Sequence, residues 1–277
     1  MSEHVAGKLL IIGGAEDKEG DCRILKRFVA ESGGRNARIA VLTVATEYPH
    51  QVGSEYAEIF RRLGATDVYV LDIPDRMSAN ATNCFAPVEE CSGVFFTGGD
   101  QLRITGLLGG TVLGQILHRL YERGVIIAGT SAGASVMSDT MIIGGEAGSP
   151  KKAALAMAPG LGLLRAVVID QHFAQRGRIG RLLSAVAQNP YVLGVGIDED
   201  TAILVDADAR FSVVGSQTVT VIDASSSAAS NVSETAPGQA LVLTPVILHV
   251  LSEEYGFDLR RRAALPQNTG AEKGKTS

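Results

Sequence analysis

Short unbroken apolar runs alternate with amphipathic stretches through the first half of the chain. Residues 8–12 (KLLII) end at Gly13-Gly14, and residues 37–44 (ARIAVLTV) form a second run. Residues 67–71, 93–96 (GVFF) and 125–128 (VIIA) form three more. Between them, residues 21–32, 48–63 and 111–123 carry apolar side chains at helical spacing, and Ser32-Gly33-Gly34 and Gly64 stop the first two. Runs without polar alternation suit strands buried on both faces. Their alternation with helices predicts a mostly parallel sheet covered on both sides, with right-handed crossovers.

The second half changes character. Residues 165–169 read as another strand and 178–188 as another helix. Short strands follow at 192–197, 201–205, 211–214 and 218–221, which suggest antiparallel extensions at one edge of the sheet. The Ser/Ala-rich stretch 224–236 reads as a surface loop, and 241–251 as a last strand. With no internal repeat and no linker, residues 1–263 read as a single α/β domain. Residues 264–277, after the triplet Arg260-Arg261-Arg262, read as a disordered tail.

Composition narrows the possibilities. The 277 residues carry 25 Lys+Arg against 30 Asp+Glu, and the net charge of −5 disfavours a nucleic-acid partner, which needs a basic stripe. Aromatic residues are only 5% and Trp is absent, which disfavours a stacking platform for sugars or single strands. The 32 glycines suit many tight strand-to-helix turns. Cys22, Cys84 and Cys91 form no CxxC and have no histidine at zinc spacing, so no metal site is expected. The first seven residues lack a signal-peptide core, and no apolar run reaches the ~18 residues of a membrane span. A cytoplasmic location is therefore expected.

The strongest local signal is Gly129-Thr130-Ser131-Ala132-Gly133, directly after VIIA. This is the G-x-S-x-G pattern, in which a sharp strand-to-helix turn exposes the serine hydroxyl above the sheet's carboxyl edge. The Ala132 N–H would face a developing oxyanion, and a second donor is expected from Gly99 in Thr97-Gly98-Gly99-Asp100. Of five histidines, His172 alone follows a strand directly and so shares Ser131's sheet edge, which makes it the candidate base. An orienting acid is expected from Asp198-Glu199-Asp200, and spacing does not choose among the three. Arg176, Arg178 and Arg181 trail His172 beside Asp170 and Gln171 and suggest a carboxylate-rich ligand. The loop Gly13-Gly14-Ala15-Glu16 lacks the spacing of a nucleotide-binding turn, and no cofactor is expected.

The order serine, histidine, acid differs from the serine, acid, histidine order of lipase-like hydrolases. It matches the flavodoxin-like, class I glutamine amidotransferase-like α/β hydrolases, with a mostly parallel sheet, helices on both faces and antiparallel extension strands.

The segments FTGGDQL (96–102), GTSAGASVMS (129–138), APGLGLL (158–164), DQHFAQRGRIGR (170–181) and GIDEDTA (196–202) together resemble the cyanophycinase family, serine exopeptidases related to peptidase E. The resemblance implies a triad of Ser131, His172 and Glu199. It implies a substrate pocket with Gln101, Asp170, Gln171, Arg176, Arg178 and Arg181, and a homodimer. The substrate it implies is cyanophycin, a poly-aspartate with arginine on each β-carboxyl, cut to β-Asp-Arg dipeptides. In that pocket the arginines would grip substrate carboxylates, and Asp170 or Gln101 would meet the substrate guanidinium. Alternatives are a peptidase E-like dipeptidase acting on Asp-X or other β-aspartyl peptides, and a non-catalytic binding module on the same fold. Within 144–152 no substrate-contacting residue is assigned.

Overall fold

The computed structural model describes residues 7–145, 148–152 and 155–267. The first half runs β1 (Leu9–Ile12), α1 (Arg23–Glu31), β2 (Arg38–Leu42), α2 (Pro49–Arg62), β3 (Asp67–Leu71), β4 (Gly93–Phe96), α3 (Gln101–Leu108), α4 (Val112–Glu122) and β5 (Ile126–Thr130). The middle holds α5 (Ala132–Ser135), β6 (Thr140–Gly145), β7 (Leu155–Pro159), β8 (Val167–Gln171), α6 (Ile179–Gln188) and β9 (Leu193–Ile197). Then come β10 (Thr201–Val205), β11 (Arg210–Gly215), β12 (Val219–Asp223), β13 (Ala229–Ser230), β14 (Leu243–Thr244), β15 (Ile247–Leu251), β16 (Gly256–Asp258) and β17 (Ala263–Leu265).

The apolar runs are buried on both faces because two cores sandwich the sheet. Leu9 and Ile11, Ala40 and Leu42, and Val94 and Phe96 face one core, with Ile104, Leu113 and Leu117 of α3 and α4. Their neighbours Leu10, Ile12, Ile39, Val41 and Phe95 face the other, with Phe28 of α1 and Tyr56 and Phe60 of α2. Successive side chains on a strand point to opposite faces, so an unbroken run fills both.

Strands β1, β5, β4, β2 and β3 pair in parallel, in that spatial order. On the other side of β1, β10, β11, β16 and β17 add antiparallel strands, giving nine in all. The expected edge extension is therefore present in β10 and β11. Residues 192–197 and 218–221 do not join it. They lie in β9 and β12 of a separate four-stranded sheet, ordered β15-β12-β9-β8, in which β8 and β9 run parallel. One face of this sheet presents Ile169, Val195 and Val221 to the first core, and the other packs Val168 and Ile222 against Leu182 and Val186 of α6.

Two smaller departures have local causes. Helix α3 is an element the apolar pattern does not announce; its start is marked by Asp100, whose carboxylate accepts from Leu102 N at 2.8 Å. Composition predicts an unstructured tail from 264, yet Ala263–Leu265 pairs with β16. Arg262 anchors this return by donating to Asp223 at 2.7 Å. His4, residues 146–147 and the tail from 268 lie outside the described residues.

Candidate active site

Ser131 occupies the single position between β5 and α5, with φ 53° and ψ −108°. A non-glycine residue held there stores on the order of 1–3 kcal/mol of backbone strain and needs neighbours that over-determine it. They are present. Ser131 N donates to Ile12 O at 3.1 Å, and Ser131 O accepts from Ala134 N at 3.0 Å and Ser135 N at 3.1 Å. The flanking glycines are required by contact: a Cβ on Gly129 would sit 2.3 Å from Gly133 O, and one on Gly133 would sit 2.6 Å from Phe96 O. The helix that follows is one turn long.

His172 follows β8 and also has a positive φ, 48°. Its N–H donates to Gly13 O at 2.8 Å, which fixes the residue to the loop after β1. The imidazole Nε2 lies 3.1 Å from Ser131 Oγ, and Nδ1 lies 2.6 Å from Glu199 Oε1. An ionised carboxylate only accepts, so Nδ1 carries the proton and Nε2 accepts from the serine hydroxyl. Of the other described histidines, His50 and His118 lie in α2 and α4 and His249 in β15.

The three consecutive acids have separate duties. Asp198 is buried and accepts from Ala174 N, Thr218 N and Thr218 Oγ1. Asp200 accepts from Asp17 N and Ser216 Oγ. Only Glu199 reaches the imidazole, and its own N–H is held by Gln175 Oε1 at 3.1 Å. Gln175 was not singled out from sequence; a glutamine in a loop carries no pattern there.

Gly98 closes over the serine: a Cβ at this position would lie 3.5 Å from Ser131 Cβ. Gly99 has φ 144°, and the next N–H, of Asp100, is tied to Ala45 O at 2.9 Å. Among the described residues, the N–H groups of Gly99 and Ala132 have no backbone acceptor.

The arginine group departs from expectation. Asp170 is 1% exposed, and Arg181 spans both of its oxygens, with Nε to Oδ2 at 2.9 Å and Nη2 to Oδ1. Arg178 Nη1 adds a contact at 3.3 Å and also donates to Gln171 Oε1 at 3.1 Å and to Gln171 O. Asp170 and Arg181 thus form a buried ion pair, and a carboxylate so enclosed cannot reach a ligand's guanidinium. Asp170, with Gln171, holds Arg178, whose pKa burial pulls down to about 10 against the opposing charge of Asp170. Arg176 is exposed beside His172. Gln101 Nε2 donates to Ile142 O at 3.1 Å, which ties α3 to β6.

Burial lowers the pKa of His172 from its ordinary value; the Glu199 hydrogen bond opposes this, and the charges of Arg176 and Arg178 add to the lowering. Arg176→Gln removes one lowering influence, so the acid limb of the kcat/KM profile is expected to move to higher pH. A pH titration of the variant against the parent chain checks the direction.

Gly14, in the loop after β1, lies directly against the His172 imidazole. Its φ is 102°, and a Cβ there would sit 2.4 Å from Cε1 and 2.5 Å from Nε2 of His172. Gly14→Ala is therefore expected to push the imidazole off Ser131 and lower kcat about 100-fold, the scale of an ångström-sized misplacement. Steady-state kinetics with a melting curve on the same sample separate this from unfolding.

A cavity of about 840 Å³ is lined by His118, Tyr121, Tyr191 and Asp206 at the opposite, amino-terminal edge of the strands, away from Ser131. Among the described residues no cluster of three or more His, Cys, Asp or Glu is placed to hold a metal, and no helix is long and apolar enough to cross a membrane.

The profile of peptidase family S51 matches residues 9–213. The chain belongs to peptidase family S51. It is 42% identical over 253 residues to the cyanophycinase of Geminocystis herdmanii, covering 91% of this chain and 93% of that one. It is 41% identical over 260 residues to the cyanophycinase of Trichormus variabilis, covering 93% and 87%. Its fold is similar to the crystal structure of a peptidase from an acI-B1 Actinobacterium, with a TM-score of 0.61 at 20% identity over 88% of this chain and 98% of that one. Within S51, this chain is a serine-type peptidase of α/β fold.

Proposed function

We propose that the chain is an exopeptidase that hydrolyses cyanophycin to β-Asp-Arg dipeptides through an acyl-enzyme on Ser131. The observation that carries this is the line Ser131 Oγ, His172 and Glu199, at 3.1 and 2.6 Å, in a chain whose S51 relatives are cyanophycinases over nine-tenths of its length. Ser131 Oγ attacks the scissile carbonyl carbon while its proton passes to His172 Nε2. Glu199 accepts from Nδ1 and stabilises the imidazolium. The carbonyl oxygen takes the negative charge between the N–H groups of Gly99 and Ala132. On collapse the C–N bond breaks, and His172 gives the proton to the departing amine. Water then attacks the acyl carbon and loses a proton to His172; the ester C–O bond to Ser131 breaks, the acid leaves, and His172 returns a proton to Ser131 Oγ.

Substrate carboxylates fit the exposed Arg176 and the Arg178 guanidinium held by Asp170 and Gln171. Gln101, at the mouth of α3, is the remaining pocket candidate for the substrate's arginine, since Asp170 is enclosed. The same reading includes a cytoplasmic homodimer. Light scattering tests the dimer, and the exposed Leu248 and Val250 of β15 supply an apolar surface for it.

Digestion of purified cyanophycin with mass analysis of the products tests the substrate. β-Asp-Arg as the main product supports the proposal. Cleavage of Asp-X dipeptides with cyanophycin untouched replaces it with the peptidase E-like reading. Binding without cleavage, and no reaction with a serine-directed fluorophosphonate, replaces it with a binding module.

A further inference from the structure

Glu16 is 4% exposed and lies in the loop between β1 and α1. A carboxylate removed from water is costly unless its oxygens are hydrogen-bonded. Both are. Glu16 Oε1 accepts from Tyr56 Oη at 2.5 Å, and Oε2 accepts from Thr130 Oγ1 at 2.6 Å. Tyr56 is fixed in turn, with its ring centroid 4.7 Å from that of Phe95 and 6.0 Å from that of Phe60. Thr130 is the residue immediately before Ser131.

The same short loop touches the neighbours of the other two triad residues. Gly13 O accepts from His172 N at 2.8 Å, and Gly14 O accepts from Asp200 N at 2.9 Å. Asp17 N donates to Asp200 Oδ1 at 2.9 Å. Residues 13–17 are thus bonded to the positions before Ser131, at His172 and after Glu199. The geometry points to Glu16 as a positioning residue for the hydrolysis: through Thr130 it clamps the strained turn at Ser131 to the loop that also seats His172 and Glu199. This rests on Ser131 being the nucleophile.

The link from Glu16 to Ser131 runs through one hydroxyl, so it predicts a pattern that general destabilisation does not produce. Thr130→Val keeps the shape and removes the hydroxyl. Glu16→Gln sets an NH2 group against one of its two hydroxyl partners. Thr130→Ser restores the hydroxyl.

The experiment measures the second-order rate of Ser131 labelling by a fluorophosphonate on the full chain, which does not depend on the peptide substrate, alongside a thermal melt. Glu16→Gln and Thr130→Val are each expected to slow labelling about 30-fold, within the range that misplacement of a reacting group produces. The double variant is expected to be no slower than the poorer single, because both remove one interaction. Thr130→Ser is expected to label within about threefold of the parent, since it keeps the hydrogen-bonding group. Should Glu16→Gln fail to fold, the two Thr130 variants carry the test. Folded Thr130→Val at the parental rate, or losses that multiply in the double variant, overturns the inference alone. Labelling that persists in Ser131→Ala overturns both the nucleophile assignment and this inference.

Discussion

Ser131→Ala is expected to lower kcat on cyanophycin by about a millionfold, the scale seen when a nucleophile is removed from a serine relay. Nothing else near His172 Nε2 replaces the hydroxyl 3.1 Å away among its described hydrogen bonds. The substitution deletes one oxygen and leaves the backbone bonds of Ser131 to Ile12, Ala134 and Ser135 in place. Stability is therefore expected to change by no more than about 0.5 kcal/mol, as for a change outside the core. KM is expected to stay near the parental value, because the pocket arginines are untouched. Product release by mass analysis and a melting curve check the two halves. A folded variant that still releases dipeptide at an appreciable rate excludes the acyl-enzyme.

The second large effect is expected at Glu199. Glu199→Gln keeps the shape but presents an amide to Nδ1, which removes the charge that holds the tautomer and stabilises the imidazolium. A loss of about 10⁴ in kcat is expected, as when the acid of a triad is made neutral. The adjacent acids supply the comparison. Asp198→Asn disturbs a buried acceptor of three hydrogen bonds and is expected to cost about 1–3 kcal/mol of stability, with kcat falling less than tenfold. Denaturation curves and kinetics on the two variants should therefore dissociate: one loses turnover and keeps its fold, the other the reverse. Equal kinetic losses in both would remove Glu199 from its assigned role.

Much of this arrangement is legible without coordinates, for definite reasons. Strands buried on both faces leave unbroken apolar runs, and residues directly after parallel strands share one edge. That logic places Ser131 after β5 and His172 after β8. It does not separate Asp198, Glu199 and Asp200, because a turn aims three successive side chains in three directions. Nor does it reveal that Asp170 and Arg181 are partners in a buried pair, since burial of a charge leaves no periodic trace. The role of Glu16 is hidden for a related reason: a lone acid after Gly13-Gly14-Ala15 resembles a solvated turn until Tyr56 and Thr130 are seen to enclose it. Sheet membership is equally non-local. The strands β9 and β10 are separated by one short turn, yet they belong to different sheets.

That division has a consequence for how activity can be lost. Ser131 is carried by the nine-stranded sheet, His172 by the four-stranded one, and Glu199 by the turn in which the chain crosses between them. The proposed proton relay therefore spans a joint between two slabs. A slip of one slab against the other leaves every strand pairing intact but opens the gap between hydroxyl and imidazole. If the proposed relay holds, its activity is expected to be lost on heating before the fold melts, which parallel activity and melting curves would show.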